Sequence, residues 1–187
     1  KSVSVAVLDD EPFQPLETLQ YEGFRISYKG NYSIAEAVKD YDVILCDLKG
    51  VGTELNPNKQ GAAVISELRR LYPHKYIIVF SALDMRSAML RDAREIADDF
   101  IPKTSSQDLI HTVIDRGISK VLDPSQIWSK AKRELEAKQI STNDIAALEN
   151  VFLRAVQKKS TDPLKQITKQ RSRNNAVFTD VTTSLVG

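Results

Sequence analysis

Short apolar runs, separated by polar stretches rich in glycine and proline, recur along the first 120 residues. Val3, Val5 and Val7 alternate with Ser2, Ser4 and Ala6, and Leu8 follows, which predicts a first strand. Pro12 and Pro15 fit only a first helical turn or the residues ahead of it. The helix behind them carries Leu16 and Leu19 inward and stops at Gly23. Residues 24–28 alternate as a second strand, and Ser33 is expected to cap a short helix with Ile34, Ala37, Val38 and Tyr41 on one side. Residues 43–46 form an apolar run that ends abruptly in Asp47, the signature of a buried strand. Two glycines, a proline and two asparagines mark residues 48–59 as a long loop.

Residues 61–71 read as a helix with Ala62, Ile65 and Leu68 inward, halted by Pro73. A fourth strand, residues 76–80, ends in Ser81-Ala82. Residues 84–96 read as a charged helix with Met85, Ala88, Met89 and Ala93 as its weak apolar face. A short fifth strand, residues 99–102, ends in Lys103. Residues 105–108 then cap a helix carrying Leu109, Ile110, Val113, Ile114, Ile118 and Val121. Strand and helix alternate five times, which calls for an α/β fold: a five-stranded parallel sheet, doubly wound, with right-handed crossovers.

The pattern changes after Pro124. Residues 125–139 form a charged helix striped by Ile127, Trp128, Ala131 and Leu135. After a cap at residues 141–144, a second helix carries Ile145, Leu148, Phe152, Ala155 and Val156 at heptad-like spacing. The expected organisation is an α/β domain over 1–122, a C-terminal α-helical hairpin over 123–160, and a polar tail over 161–187 that is mobile or ordered by a partner. The apolar stripes of the hairpin need cover, from the first domain, from each other or across a homodimer, and Trp128 is the best anchor.

Composition sharpens this picture in three places. The single cysteine, Cys46, excludes an internal disulfide and any multi-cysteine metal site, and fits a reducing, cytoplasmic setting. No apolar run reaches the length of a membrane span. Residues 1–119 hold 14 basic and 18 acidic side chains, whereas residues 120–187 hold 12 and 7, so an acidic front joins a basic back. The basic residues of the back are interleaved with Glu134, Glu136 and Glu149, which favours a solvated face over a nucleic-acid surface.

The strand ends carry the candidate chemistry. Asp9-Asp10-Glu11 follows the first strand, Asp47 the third, Ser81 the fourth and Lys103 the fifth. In open α/β sheets the carboxyl ends of the strands are where ligands bind. Three convergent carboxylates repel one another unless a cation joins them, and Mg2+ suits a site of oxygen ligands that keeps several waters. On those residues alone, Asp9 and Asp10 read as readily as caps of the first helix. Lys103 and Phe100 have plain readings too, as a surface lysine and a core aromatic. His74 and His111 have no visible metal partner and read as structural.

Taken together, Val7-Leu8-Asp9-Asp10-Glu11, Asp47 behind its apolar strand, Ser81-Ala82 and Lys103 resemble the receiver domain of two-component response regulators, over residues 3–122. The resemblance implies a flavodoxin-like fold in which Asp47 is the phosphoacceptor. Asp10 is then a direct Mg2+ ligand, Asp9 acts through water, and the Lys49 carbonyl completes the protein's share of the metal shell with Asp47. Ser81 becomes the switch hydroxyl, Phe100 the switch aromatic and Lys103 the phosphoryl-binding ammonium. It further implies a phosphorylation target rather than an enzyme, with a sensor histidine kinase or phosphotransfer protein upstream and an output partner protein reached through the C-terminal helices.

Two departures stand out. The family's usual Met-Pro pair after the phosphoacceptor is replaced by Leu48-Lys49-Gly50-Val51-Gly52, and Lys103 follows a proline rather than preceding one. The altered loop favours an alternative, a pseudo-receiver acting as a phosphorylation-independent interaction module. A haloacid-dehalogenase-type phosphatase needs a second aspartate two positions past the nucleophile, which both Asp9-Asp10-Glu11 and Asp47-Leu48-Lys49 lack.

Overall fold

The computed structural model describes residues 3–32 and 34–171. Its sheet has five strands, β1 (Val5–Leu8), β2 (Ile26–Gly30), β3 (Val43–Cys46), β4 (Tyr76–Ser81) and β5 (Asp99–Pro102), all parallel, in the order β2-β1-β3-β4-β5. Strand order reverses between β1 and β3, so a crevice opens at their carboxyl ends. Both faces of the sheet are covered, which is why β1 and β3 are buried at every position and read as unbroken apolar runs.

Side-chain alternation divides the core into two layers. Val5, Val7, Val43, Leu45, Ile78, Phe80 and Ile101 pack against α1 (Leu16–Tyr21) and α4 (Gln107–Val121). Ala6, Leu8, Ile44, Cys46, Ile77 and Val79 pack against α2 (Gln60–Leu71) and α3 (Ala88–Ile96). Gly117 of α4 is forced by closeness, because a Cβ there would stand 2.8 Å from the Tyr76 ring. At the amino-terminal edge of the sheet Lys75 is buried, and its ammonium donates to the Lys39 carbonyl at 2.7 Å and to the Tyr41 carbonyl.

Several sequence expectations shift. The strand read at 24–28 begins at Ile26 and runs to Gly30. The helix expected after Ser33 is a single 3-10 turn, Ala35–Val38, in which only Val38 is buried and Ile34 is extended and largely exposed. Ser33 itself lies outside the described residues. The helix read over 84–96 starts at Ala88, because the Ser87 hydroxyl accepts from the Leu90 amide and caps it there. Its buried face is Leu90 and Ala93, and Met85 stands out in solvent.

The chain divides into two compact units, one up to Val121 and one from Leu122 on. In the second, Asp123 caps α5 (Pro124–Ala137) with Pro124 in its first turn, and Ser141 caps α6 (Thr142–Gln157) through the Asp144 amide. The two stripes cover each other: Trp128, Ala131 and Leu135 pack on Ile145, Leu148, Val151, Phe152 and Ala155. Trp128 stacks on Phe152 with ring centroids 5.5 Å apart. Its indole Nε1 is buried without a hydrogen-bond partner among the described residues. Val151, not Val156, completes the stripe. The tail expected to be mobile or ordered by a partner from residue 161 instead forms a further helix, α7 (Asp162–Arg171), whose Leu164 enters this core and whose Ile167 packs against it. The rest of that tail, 172–187, lies outside the described residues. Among the described residues no helix is long and apolar enough to cross a membrane.

Candidate functional site

The ladder carries the polar residues into place. One bond beyond each strand, the Asp9 amide donates to the Gly30 carbonyl, the Asp47 amide to Leu8 and the Lys103 amide to Ser81. Leu8 and Cys46 are partners in register, so Asp9 and Asp47 emerge side by side with the parity of Val7 and Leu45. Lys103 shares the parity of Ile101, on the same layer. Residues 94 positions apart thus converge at one sheet edge.

At that edge Asp9 and Asp47 are buried, at 2% and 4% exposure, and Asp10 is exposed. The Lys103 ammonium lies between the two buried carboxylates, 2.8 Å from Asp9 Oδ2, 3.0 Å from Asp9 Oδ1 and 2.6 Å from Asp47 Oδ2. Backbone amides add to this: Glu11 N–H also donates to Asp9 Oδ1 at 3.0 Å, and Leu48 N–H donates to Asp47 Oδ1 at 2.6 Å. Asp47 therefore offers two unlike oxygens, one tied to its own turn and one facing the ammonium. Burial pushes the Lys103 pKa down, but hydrogen bonds and charge from Asp47 and Asp9 outweigh it, so the ammonium is held above the ordinary lysine value.

One ammonium does not neutralise three carboxylates. Oxygens of Asp9, Asp10 and Asp47 all lie within 4.8 Å of one another. Ligand oxygens around one octahedral Mg2+ stand roughly 3–4 Å apart. The donor set is all oxygen, acidic and partly open, which fits that ion. The fit includes a space kept by glycine: a Cβ at Gly50 would lie 2.0–2.5 Å from the three terminal atoms of the Asp10 carboxylate.

A cleft of about 490 Å³ opens over this cluster, lined among others by Asp10, Asp47, Lys49, Ser81 and Lys103. Ser81 is buried and its Oγ accepts from the Leu83 amide at 3.3 Å. Lys49 sits exposed on the rim, with its amide 3.4 Å from Asp47 Oδ1. Phe100 is apart from the cleft lining: half-buried against the α2/α3 layer, it lies under the Arg94 guanidinium at 5.1 Å. Cys46 is fully buried, and burial first, then the Asp47 charge, pushes its thiol up, in keeping with a small apolar residue.

Sequence reading passed over Gln60, Gly50 and Gly61. Gln60 lines the cleft with a left-handed backbone, φ +44°, and its Oε1 accepts from the Gly50 amide at 2.8 Å. Gly61 closes the loop with its amide on the Leu48 carbonyl at 3.0 Å. Gly50 was visible only as loop punctuation and Gly61 only as the first residue of a helix, and nothing local in the sequence links Gln60 to the cleft.

No family model and no curated protein matches the sequence. Solved structures do match. The receiver domain of NtrX from Brucella abortus is 20% identical with a TM-score of 0.50, covering 62% of this chain and 98% of that one. NtrX from Brucella abortus in complex with ADP is 19% identical with a TM-score of 0.52, covering 71% of this chain and 30% of that one. The response regulator TrrA from Thermotoga maritima, solved in complex with Mg2+ and BeF, is 24% identical with a TM-score of 0.47, covering 61% of this chain and 97% of that one. The first unit of this chain has the fold of response-regulator receiver domains.

Proposed function

We propose that this protein is a phosphoacceptor response regulator. Asp47 takes a phosphoryl group from a histidine kinase or phosphotransfer protein, and α5–α7 carry the output. The observation that supports this most is the Lys103 ammonium bridging Asp9 and Asp47 at the switch point of the sheet. Phosphoryl transfer needs positioning and charge neutralisation more than covalent assistance. In this reading the Leu48 amide fixes the Asp47 carboxylate, and an Asp47 oxygen forms the new O–P bond as the bond to the donor breaks. The phosphoryl oxygens then draw Lys103 away from Asp47. Asp9, Asp10, Asp47 and the Lys49 carbonyl would hold Mg2+, which when bound supplies positive charge against the oxygens of the transferring group. Ser81 donates its hydroxyl to the product phosphate, and Phe100 leaves the Arg94 contact as the β4–β5 edge rearranges.

Beryllofluoride with Mg2+ is the direct test. The wild-type chain is expected to shift its near-ultraviolet and NMR spectra on addition, and Asp47→Asn to give no shift. No response in either protein would establish the phosphorylation-independent module instead.

Lys49 stands where it can shield the acyl phosphate from water or hold its oxygens. Its removal is therefore expected to speed loss of phosphate by about 10-fold, roughly 1.4 kcal/mol of barrier. Equal decay of acetyl-phosphate-labelled wild type and Lys49→Ala, followed by phosphoprotein gel or mass spectrometry, would remove that role.

A further inference from the structure

The loop between β3 and α2 leaves the sheet at Asp47, where the Leu48 amide donates to Asp47 Oδ1, and closes on itself at its far end. Leu48 and Val51 are buried, the Gly61 amide returns to the Leu48 carbonyl, and the Gly52 amide donates to Asn31 Oδ1 at 2.9 Å. Inside this frame, Gly50 lies against the Asp10 carboxylate in a left-handed conformation, φ +83°, with no room for a Cβ. What holds Gly50 there is a side chain ten residues on. Gln60 Oε1 accepts the Gly50 amide, while Gln60 Nε2 donates to the Pro57 carbonyl at 3.2 Å. Both ends of the amide are thus engaged, and its backbone adopts a conformation that costs a non-glycine residue roughly 1–2 kcal/mol. Strain of that kind persists where surrounding structure holds it in place.

We propose that Gln60 and Gly50 are positioning residues for the divalent cation. Gln60 holds the Gly50 peptide, and the Gly50 peptide forms the wall that sets where the exposed Asp10 carboxylate stands relative to Asp9 and Asp47. Asp10 is the one member of the triad that is exposed, and the Lys103 ammonium pairs with the two buried carboxylates. The wall supplies what burial supplies to the others. Partners that orient a metal ligand without touching the ion typically change affinity by 10- to 100-fold. This inference rests on the reading of the acidic cluster as a cation site.

The test uses the full chain and Mn2+ itself, with free ion counted by electron paramagnetic resonance. Gln60→Met keeps the shape and removes the acceptor, and is expected to weaken Mn2+ binding about 10-fold. In the metal-free protein it should also move the Asp10 carboxyl carbon resonance, a signal that general loosening elsewhere leaves in place. Gly50→Ala is expected to weaken Mn2+ at least as much. Should it fail to fold, Gln60→Met alone decides. Wild-type affinity in Gln60→Met overturns the proposal, as does weaker binding with the Asp10 resonance unmoved. Absence of Mn2+ binding by the wild type itself, unchanged by Asp10→Asn, would instead overturn the cation site and this inference with it.

Discussion

Lys103→Met is expected to destabilise the metal-free protein by about 3–5 kcal/mol at neutral pH, because removing one partner of a buried ion pair strands the other. Here two carboxylates are stranded: Asp9 and Asp47 are both buried, and the Lys103 side chain, 20% exposed, is within 3.0 Å of each. Methionine restores the aliphatic bulk beside Phe80, whose ring centre lies 5.7 Å from the ammonium, so lost packing contributes little. The pH dependence follows from the direction of the Lys103 shift. Its folded pKa lies above the ordinary 10.5, so the pair's contribution is complete below that value and fades as pH climbs through the raised one. The gap between wild type and Lys103→Met should therefore narrow in strongly alkaline buffer. Urea unfolding with a chelator present, compared at neutral and alkaline pH, measures both effects. A neutral-pH loss under about 1 kcal/mol would mark Lys103 as an ordinary exposed pair.

Gly61→Ala should be as damaging for a different reason. An added Cβ would stand 2.0 Å from the Asp47 carbonyl oxygen and 2.6 Å from the Leu48 Cα, both backbone atoms at the end of a fully buried strand. A flexible side chain yields to such contact, but a central strand does not. The expected cost is about 3 kcal/mol or more, at the upper end of overpacking substitutions, with any beryllofluoride response lost alongside because Asp47 is the residue displaced. Thermal unfolding of Gly61→Ala within a few degrees of wild type would show that α2 slides away freely. By contrast, Gly23, at φ +96° with open space around it, is a position where alanine meets only backbone strain.

Much of the fold was legible because it rests on local rules. Period-two alternation and unbroken apolar runs located β1, β3, β4 and β5, and the cap at residues 141–144 located the start of α6, where the Ser141 hydroxyl meets a free amide. The failures have a shared cause. The stretch 34–41 has a helical spacing of apolar residues, yet between β2 and β3 it forms only a single 3-10 turn, in which Val38 alone is buried and Ile34 faces solvent. Residues 162–171 are polar enough to read as tail, yet Leu164 and Ile167 find an apolar surface that α5 and α6 already share. Tertiary packing decided both.

The same division runs through the candidate site. Asp9, Asp10, Asp47, Ser81 and Lys103 could be picked out by their place after strands, since a chain leaving a parallel sheet presents its next side chains at the carboxyl edge. Sequence alone thus determined which residues reach that edge and the alternation that carries them there. Their distances were decided by register: the pairing of Leu8 with Cys46 and of Ser81 with Pro102 lets one ammonium serve two aspartates. The contact of Gly50 with Asp10, and of Gln60 with Gly50, exists only in three dimensions, because close approach between loops is set by how the whole sheet twists and packs and leaves no periodic trace along the chain.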